Sequence, residues 1–276
     1  MARKSVRDVL RLDSVDLAAL DPASRPIGPK TKREAAADLL TTGAELEDLQ
    51  EALYAENARA VLLVLQGMDT SGKGGTIRHV LGLVNPQGVH IASFKKPTRA
   101  EARHHFLWRV RKLLPEPGRI GVFDRSHYED VLVPKVEGLR SAAELRTRYR
   151  EINEFERELA GAGVAVLKCF LHISPEVQRE RLLARLDDPR KHWKYTPADI
   201  DARSKWSKYQ QAYTAALQNC SATPWYAVPA DRKWYRNWAV SRLLLETLRE
   251  LDPKFPPAAY DIEAEQARLR TADPLA

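Results

Sequence analysis

The sequence predicts an α/β fold, a parallel sheet carrying helices on both faces. Three observations lead there. Short apolar runs rich in Val, Ile and Leu recur along the 276 residues, helical stretches separate them, and the first run breaks into a glycine-rich loop. Strands alternating with helices form parallel sheets, because parallel neighbours need a long crossover that a helix supplies.

The elements follow in order. Residues 1–30 hold Pro22, Pro26 and Pro29, which suits an extended arm with one short helical piece. Over 31–57, Leu39, Leu40, Leu46, Leu49 and Leu53 fall on one stripe. That spacing predicts a long helix packed on the core ahead of the first strand. The first buried strand is 61–65, and a helix follows from about 76 to 83. Further strands are predicted over 88–94, 120–124, 164–173 and 225–228. Helical stretches are predicted over 98–114, 141–161, 175–186, 197–219 and 234–251. Gly161 and Gly163 mark a helix stop before a strand. After Pro253 the chain is rich in Pro, Ala and charge, so only partial order is expected. The plan is an arm and helical segment over 1–57, one α/β domain over 58–252, and a tail over 253–276. A helical lid is expected within the domain, over about 179–208.

Bulk properties narrow the class. Hydrophobic content of 44% and charged content of 29% are those of an ordinary globular protein. No apolar run approaches the ~20 residues that span a bilayer. The start, Met-Ala-Arg-Lys-Ser-Val-Arg, is basic but lacks the apolar core of a secretory signal. Cys169 and Cys220 offer neither a disulfide framework nor a metal cluster. Cys169 lies in an apolar run and is expected to be buried. A cytoplasmic enzyme with no membrane partner is the expectation. The net charge of +7 and a pI near 9.4 favour anionic partners without choosing among them.

Chemistry begins at residues 61–76, Val-Leu-Leu-Val-Leu-Gln-Gly-Met-Asp-Thr-Ser-Gly-Lys-Gly-Gly-Thr. Gly67, Gly72 and Lys73 fit G-x-x-x-x-G-K, the phosphate-binding loop or Walker A motif. In such a loop the backbone of Gly67, Met68, Thr70, Ser71, Gly72, Gly75 and Thr76 wraps a phosphate chain. The following helix N-terminus adds partial positive charge. Two positions depart from the motif. Gly74 stands where a Ser or Thr hydroxyl holds magnesium, and Asp69 sets a carboxylate inside an anion nest. A carboxylate there repels phosphate unless a cation lies between them. Asp69 is therefore read as taking over the metal-holding role.

A second site lies at 121–130, Gly-Val-Phe-Asp-Arg-Ser-His-Tyr-Glu-Asp. An apolar strand ends in Asp124, where phosphate-loop enzymes place a metal-organising acid, and Arg125 follows to neutralise phosphate charge. Taken singly, Asp-Arg-Ser is ordinary turn composition. Both loops should nevertheless open onto one crevice beyond the carboxyl ends of the strands. A third region, 179–208, interleaves Arg179, Arg181, Arg185, Arg190, Lys191, Lys194, Arg203, Lys205 and Lys208 with Trp193, Tyr195 and Trp206. Alone, such a run is usually a solvated helix face. Asp187-Asp188-Pro189 breaks one helix and Thr196-Pro197 starts another, giving two basic helices joined by a loop, a lid that can exclude water. A fourth region places Lys95 and Arg109 just after the second strand, where an acceptor would bind. His79, His104 and His105 nearby lack the spacing of metal ligands.

With these sites in place the chain resembles the polyphosphate kinase 2 family. The matching stretches are GMDTSGKGG (67–75), FKKPT (94–98), FLWR (106–109), FDRSHYEDVLV (123–133), the lid region 185–213 and the final strand and helix at 223–240. The resemblance spans about residues 35–251. It implies a three-layer P-loop kinase-like fold and reversible, Mg²⁺-dependent phosphoryl transfer between inorganic polyphosphate and a nucleotide. Residue by residue it implies Asp69 and Asp124 at the metal, Lys73 on the transferred phosphoryl group and Arg125 on phosphate. Arg185, Arg190, Lys191 and Lys194 become lid contacts to phosphates. Glu129, within RSHYEDVLV, resembles the subgroup that accepts both AMP and ADP. Asp124 stands where that subgroup tends to have Asn, and His105 where it tends to have Asp. Asp124 is shared with the ADP-preferring subgroup, so the choice between AMP and ADP stays open. The resemblance also implies a homodimer or homotetramer.

Two other readings compete. An ATP-dependent nucleoside monophosphate kinase of the thymidylate-kinase type shares the strand-end Asp-Arg and a basic lid, but depends on the hydroxyl that Gly74 lacks. A non-enzymatic nucleic-acid-binding protein would account for the basic, aromatic lid. It leaves Asp69 and Asp124 opposed to nucleic-acid phosphates, so no nucleic-acid partner is expected.

Overall fold

A computed structural model describes residues 4–272. The first three residues of the predicted arm and the last four of the predicted tail lie outside the described residues. Strand β1 (Ala60–Gln66) is buried along its whole length. Val61, Leu63 and Leu65 enter the core on one face, and Leu62 and Val64 enter it on the other, the period-two alternation of a strand with two covered faces. It lies at the centre of a five-stranded sheet with β2 (Val89–Ser93), β3 (Ile120–Asp124), β4 (Val164–His172) and β5 (Trp225–Pro229). All pairings are parallel and the spatial order is β2-β3-β1-β4-β5. The chain crosses from one side of β1 to the other between β3 and β4, and ligands of open α/β sheets bind at such a switch.

Helices cover both faces, as the alternation predicted. On one face lie α1 (Val6–Leu10), α2 (Lys32–Glu56), α3 (Lys73–Val80) and α10 (Lys233–Leu251). On the other lie α4 (Trp108–Arg111), α5 (Glu129–Val136), α6 (Ala142–Gly161) and α9 (Trp206–Asn219). Helix α7 (Pro175–Leu186) begins just past β4, and α8 (Ala198–Ser204) precedes α9. Residues before α2 form the predicted arm. Leu12 N–H donates to Trp225 O at 2.9 Å and Arg11 bridges Tyr226 antiparallel, so the arm covers the otherwise open edge at β5. Among the described residues, no helix is long and apolar enough to cross a membrane.

Three stretches differ from expectation. Over 98–114 the chain makes one 3₁₀ turn at Glu101–Arg103 and the single turn of α4 instead of a long helix. The reason is burial: 99 to 105 are almost wholly exposed, and inward packing begins only at Phe106 and Leu107, so no apolar stripe supports a regular helix over the first half of the stretch. Helix α5 forms outside the predicted helical stretches, despite Pro134 inside it. Proline leaves Asp130 O without its helical donor, and the Arg148 guanidinium supplies one. The predicted 197–219 helix breaks at Lys205 into α8 and α9. The tail, expected to be ordered in part, carries α11 (Ile262–Thr271), which buries no residue.

Both cysteines are buried and free. Beside Cys220 sits a buried polar network. Lys168 Nζ donates to Glu156 Oε2 (2.7 Å), Tyr128 OH (3.0 Å) and Cys220 O (2.9 Å). Tyr128 OH donates to Glu156 Oε1 at 2.6 Å. This fastens the loop after β3 to α6 and β4.

Candidate active site

Parallel register brings the two predicted loops together. Leu65 pairs with Asp124 across β1 and β3, and Arg125 N–H donates to Leu65 O at 3.2 Å. The loops after the two strands therefore leave the sheet side by side. Arg125 Nη2 then meets Asp69 Oδ1 at 2.9 Å. Both loops hold a non-glycine residue at positive φ, Thr70 at 65° and Arg125 at 65°. Such strain survives only where surroundings over-determine it, and it clusters at functional sites.

The glycine-rich loop has the build its motif implies. Gly72 takes φ +104°, and a Cβ there would lie 1.7 Å from Arg236 Nη1. Gly72→Ala is expected to abolish most activity and lower stability by about 1–3 kcal/mol. Full retention of both, in a rate assay and a thermal melt, would contradict that geometry. At Gly74 a Cβ would meet nothing within 4 Å, so packing does not exclude the missing hydroxyl. Gly74 and Gly75 are exposed. The side-chain oxygens of Thr70, Ser71 and Thr76 are buried without a protein partner, which is costly unless a ligand or water satisfies them. Met68 packs into the core and serves the loop through its carbonyl, which accepts Ser71 N–H at 3.0 Å.

Charge is concentrated here. Lys73 is 8% exposed, and its Nζ donates to Gly67 O at 2.8 Å. Burial pulls its ammonium pKa down, with Asp69, Asp124 and Glu129 opposing that shift in part. Burial pushes the Asp69 carboxyl up, but Lys73, Arg125 and Arg185 outweigh it and hold the group below its ordinary value. Arg125 loses by burial and gains more from Glu129 and Asp69, so its pKa is raised. Glu129 is raised by burial against the pull of Arg125 and Lys73. With its amide set to satisfy both neighbours, Gln66 donates to Glu129 Oε1 at 3.2 Å and accepts Ser126 N–H at 3.1 Å.

Other predicted residues are placed differently. Arg109 is buried and spent on structure: Nη1 donates to Lys95 O at 2.8 Å and Nη2 to Asp130 at 3.3 Å. It fixes the exposed Lys95 segment past β2. Arg185 acts on Asp69 electrostatically while donating to Lys194 O at 2.9 Å. Arg190 and Lys191 are exposed and pair with Asp188, and the exposed Lys194 lies over Trp193.

Several residues with a part in the site escaped the sequence reading. Arg236 on α10 donates to Ser71 O at 3.1 Å, and burial drops its pKa to about 10. Tyr209 and Tyr213, one turn apart on α9, have hydroxyls raised by burial and by Asp69 and Glu129. Nothing local marks Arg236, whereas the i, i+4 spacing of the two tyrosines on a helix entering the lid is a local signal.

Among the described residues, no three or more His, Cys, Asp or Glu side chains gather to hold a metal by themselves. Two acids beside a phosphate loop still suit Mg²⁺, which takes one or two carboxylates and completes its shell with phosphate oxygens and water. The Arg125 bond engages Asp69 Oδ1 alone.

A phosphate loop, a strand-end Asp-Arg and a basic helical pair at a sheet switch point define a P-loop kinase-like phosphotransferase. A model of the family described as Polyphosphate kinase 2 matches residues 30–256, and the chain belongs to that family. A relative from Meiothermus ruber, named AMP/ADP-polyphosphate phosphotransferase, is 47% identical over 243 residues, 87% of this chain and 91% of the relative. One from Rhodopseudomonas palustris, named ADP-polyphosphate phosphotransferase, is 45% identical over 248 residues, 84% and 86% of the two chains. The crystal structure of Polyphosphate Kinase 2 from Arthrobacter aurescens TC1 superimposes with a TM-score of 0.95 at 45% identity, covering 98% of each chain.

Proposed function

We propose that this enzyme transfers phosphoryl groups reversibly between inorganic polyphosphate and the terminal phosphate of ADP or AMP. The observation that carries the reading is the Asp69–Arg125 pair beside the buried Lys73, with open space at Gly74. A phosphate acceptor is already nucleophilic, so no strong general base is needed. The barrier is the meeting of two polyanions, and catalysis is positioning and charge neutralisation. Relatives whose names specify AMP/ADP and ADP support the nucleotide class.

In this reading Asp69 and Asp124 hold Mg²⁺, which when bound neutralises phosphate charge and aligns donor with acceptor. Lys73 holds the transferred group. Arg125 bridges between Asp69 and phosphate, since its guanidinium offers several donors in a fixed fork. The backbone N–H groups and orphaned hydroxyls of the loop orient the chain of phosphates. Arg185, Arg190, Lys191 and Lys194 close over the phosphates and exclude water. We place this machinery in a single domain over 58–252, with the lid at 179–208 and a homodimer or homotetramer as the working assembly.

The deciding experiment supplies polyphosphate as sole donor with ADP or AMP, and no ATP. Formation of ATP from ADP, and of ADP from AMP, is expected. Transfer seen only with ATP as donor would overturn the reading in favour of a nucleoside monophosphate kinase.

A further inference from the structure

Helix α7 holds the phosphate loop from behind through two residues one turn apart. Gln178, 1% exposed, donates from Nε2 to Asp69 O at 3.0 Å. Arg181 donates to Thr70 O at 2.8 Å and Ser71 O at 3.2 Å. Three successive carbonyls are thus fixed from one helix face, across the residue held at φ +65°. Strained backbone of this kind persists only when its surroundings over-determine it, and these bonds do so.

The other end of Gln178 leads to the lid. Its Oε1 accepts from Arg203 Nη1 at 2.9 Å, and Arg203 Nη1 also donates to Pro175 O at 2.6 Å. Arg203 belongs to α8. One buried amide therefore separates a lid guanidinium from the backbone of the residue carrying the loop carboxylate. The amide has two ends, and only one orientation works. With oxygen toward Arg203, nitrogen faces Asp69 O and donates. Reversed, nitrogen faces a cation and oxygen faces a carbonyl, two repulsive contacts at a buried site. The positive charge of Arg203 selects the working orientation.

We infer that Gln178 is a positioning residue that couples the seating of α8 on α7 to the direction of the Asp69 side chain. The inference rests on the proposed role of Asp69 in holding the metal. When α8 is seated, the Asp69 carbonyl is held and its carboxylate faces the phosphates. When α8 lifts, the amide loses the charge that orients it and the loop relaxes.

The test uses Gln178→Glu, Arg203→Met and the double variant. Glu at 178 still accepts from Arg203 but cannot donate to the Asp69 carbonyl. Outer-shell changes of this type typically cost 10–100-fold in metal affinity or activity. Gln178→Glu is expected to raise the Mg²⁺ concentration for half-maximal rate about tenfold and to lower kcat by about 10–100-fold. Arg203→Met should move both quantities the same way, and the double variant should lose more than the two single losses together, because the carboxylate at 178 is then buried without a cation. Amide hydrogen exchange of residues 67–73, measured without metal or nucleotide, should quicken in both single variants while β1 and β4 keep wild-type protection. Folded variants with wild-type Mg²⁺ dependence, strictly additive losses, or unchanged loop exchange would each overturn the inference. If Gln178→Glu fails to fold, Arg203→Met decides alone by the same readouts. A wild type without polyphosphate-dependent transfer would sink the functional reading, while loop exchange would still report whether the coupling exists.

Discussion

Lys73→Ala is expected to lower the polyphosphate-dependent rate by about 100–1,000-fold, the loss typical when one preorganised charge-stabilising donor is removed. The ammonium is buried and oriented before any phosphate arrives, through Gly67 O at 2.8 Å and Met68 O at 3.4 Å. Its desolvation is settled during folding, so it does not have to shed water at the reacting step. Because the group acts on charge that moves during transfer, kcat and kcat/KM should fall together. Folding should survive. The substitution removes a desolvated cation, and its neighbours Asp69 and Glu129 retain Arg125 as a counter-charge. Steady-state kinetics with polyphosphate and ADP, beside a thermal melt, provide the check. A rate within about threefold of wild type, against the expected loss, would remove Lys73 from the mechanism.

The second large effect is on stability. Lys168→Met leaves the Glu156 carboxylate buried without its ion-pair partner and is expected to cost about 3–5 kcal/mol. Lys168 and Glu156 are both 0% exposed, with Nζ and Oε2 2.7 Å apart. Replacing both, as Lys168→Met with Glu156→Leu, should recover much of the loss, because no charge is then stranded. Denaturant melts of the three proteins decide. Equal destabilisation of single and double variants would show that packing, not charge, sets the cost.

The pair also predicts an acid limb. Burial alone would raise the Glu156 carboxyl, but Lys168 and then His127 outweigh it, holding the pKa at about 2 against an ordinary 4.5. A depressed carboxylate contributes stability that is complete above its unfolded pKa and fades as pH falls toward its folded one. The contribution should therefore be full above about pH 5 and be lost progressively toward pH 2. Glu156→Gln should flatten that part of the stability profile.

Much of the fold could be read in advance because its signals are local. The apolar run at 61–65, the Gly161 and Gly163 stop before β4 and the Asp187-Asp188-Pro189 break after α7 all announce themselves within a few residues. Helix α5 could not be read, because its proline argues against helix and the compensating donor, Arg148, comes from another helix. The 98–114 stretch misled for the converse reason. Its residues are helix-compatible, but those from 99 to 105 have almost nothing to bury. Among site residues, Arg109 reads as a phosphate ligand from its neighbours in sequence. Its position under Lys95 O and Asp130 depends on how the segment past β2 folds back.

By itself the sequence determined the phosphate loop with its inner Asp69, the strand-end Asp124-Arg125, the alternation of strands and helices, and through them the family. These rest on backbone geometry and short-range spacing, which a few adjacent residues encode. Only the tertiary structure decided which charges meet. Asp69 and Arg125 are 56 residues apart in sequence and touch because Leu65 and Asp124 share a register across two parallel strands. Gln178 and Arg236 lie 109 and 165 residues from the loop carbonyls they hold. A contact of that range is set by how whole helices dock on the sheet. Hydrophobic burial drives that docking, and it leaves no mark in the sequence around a single Gln or Arg.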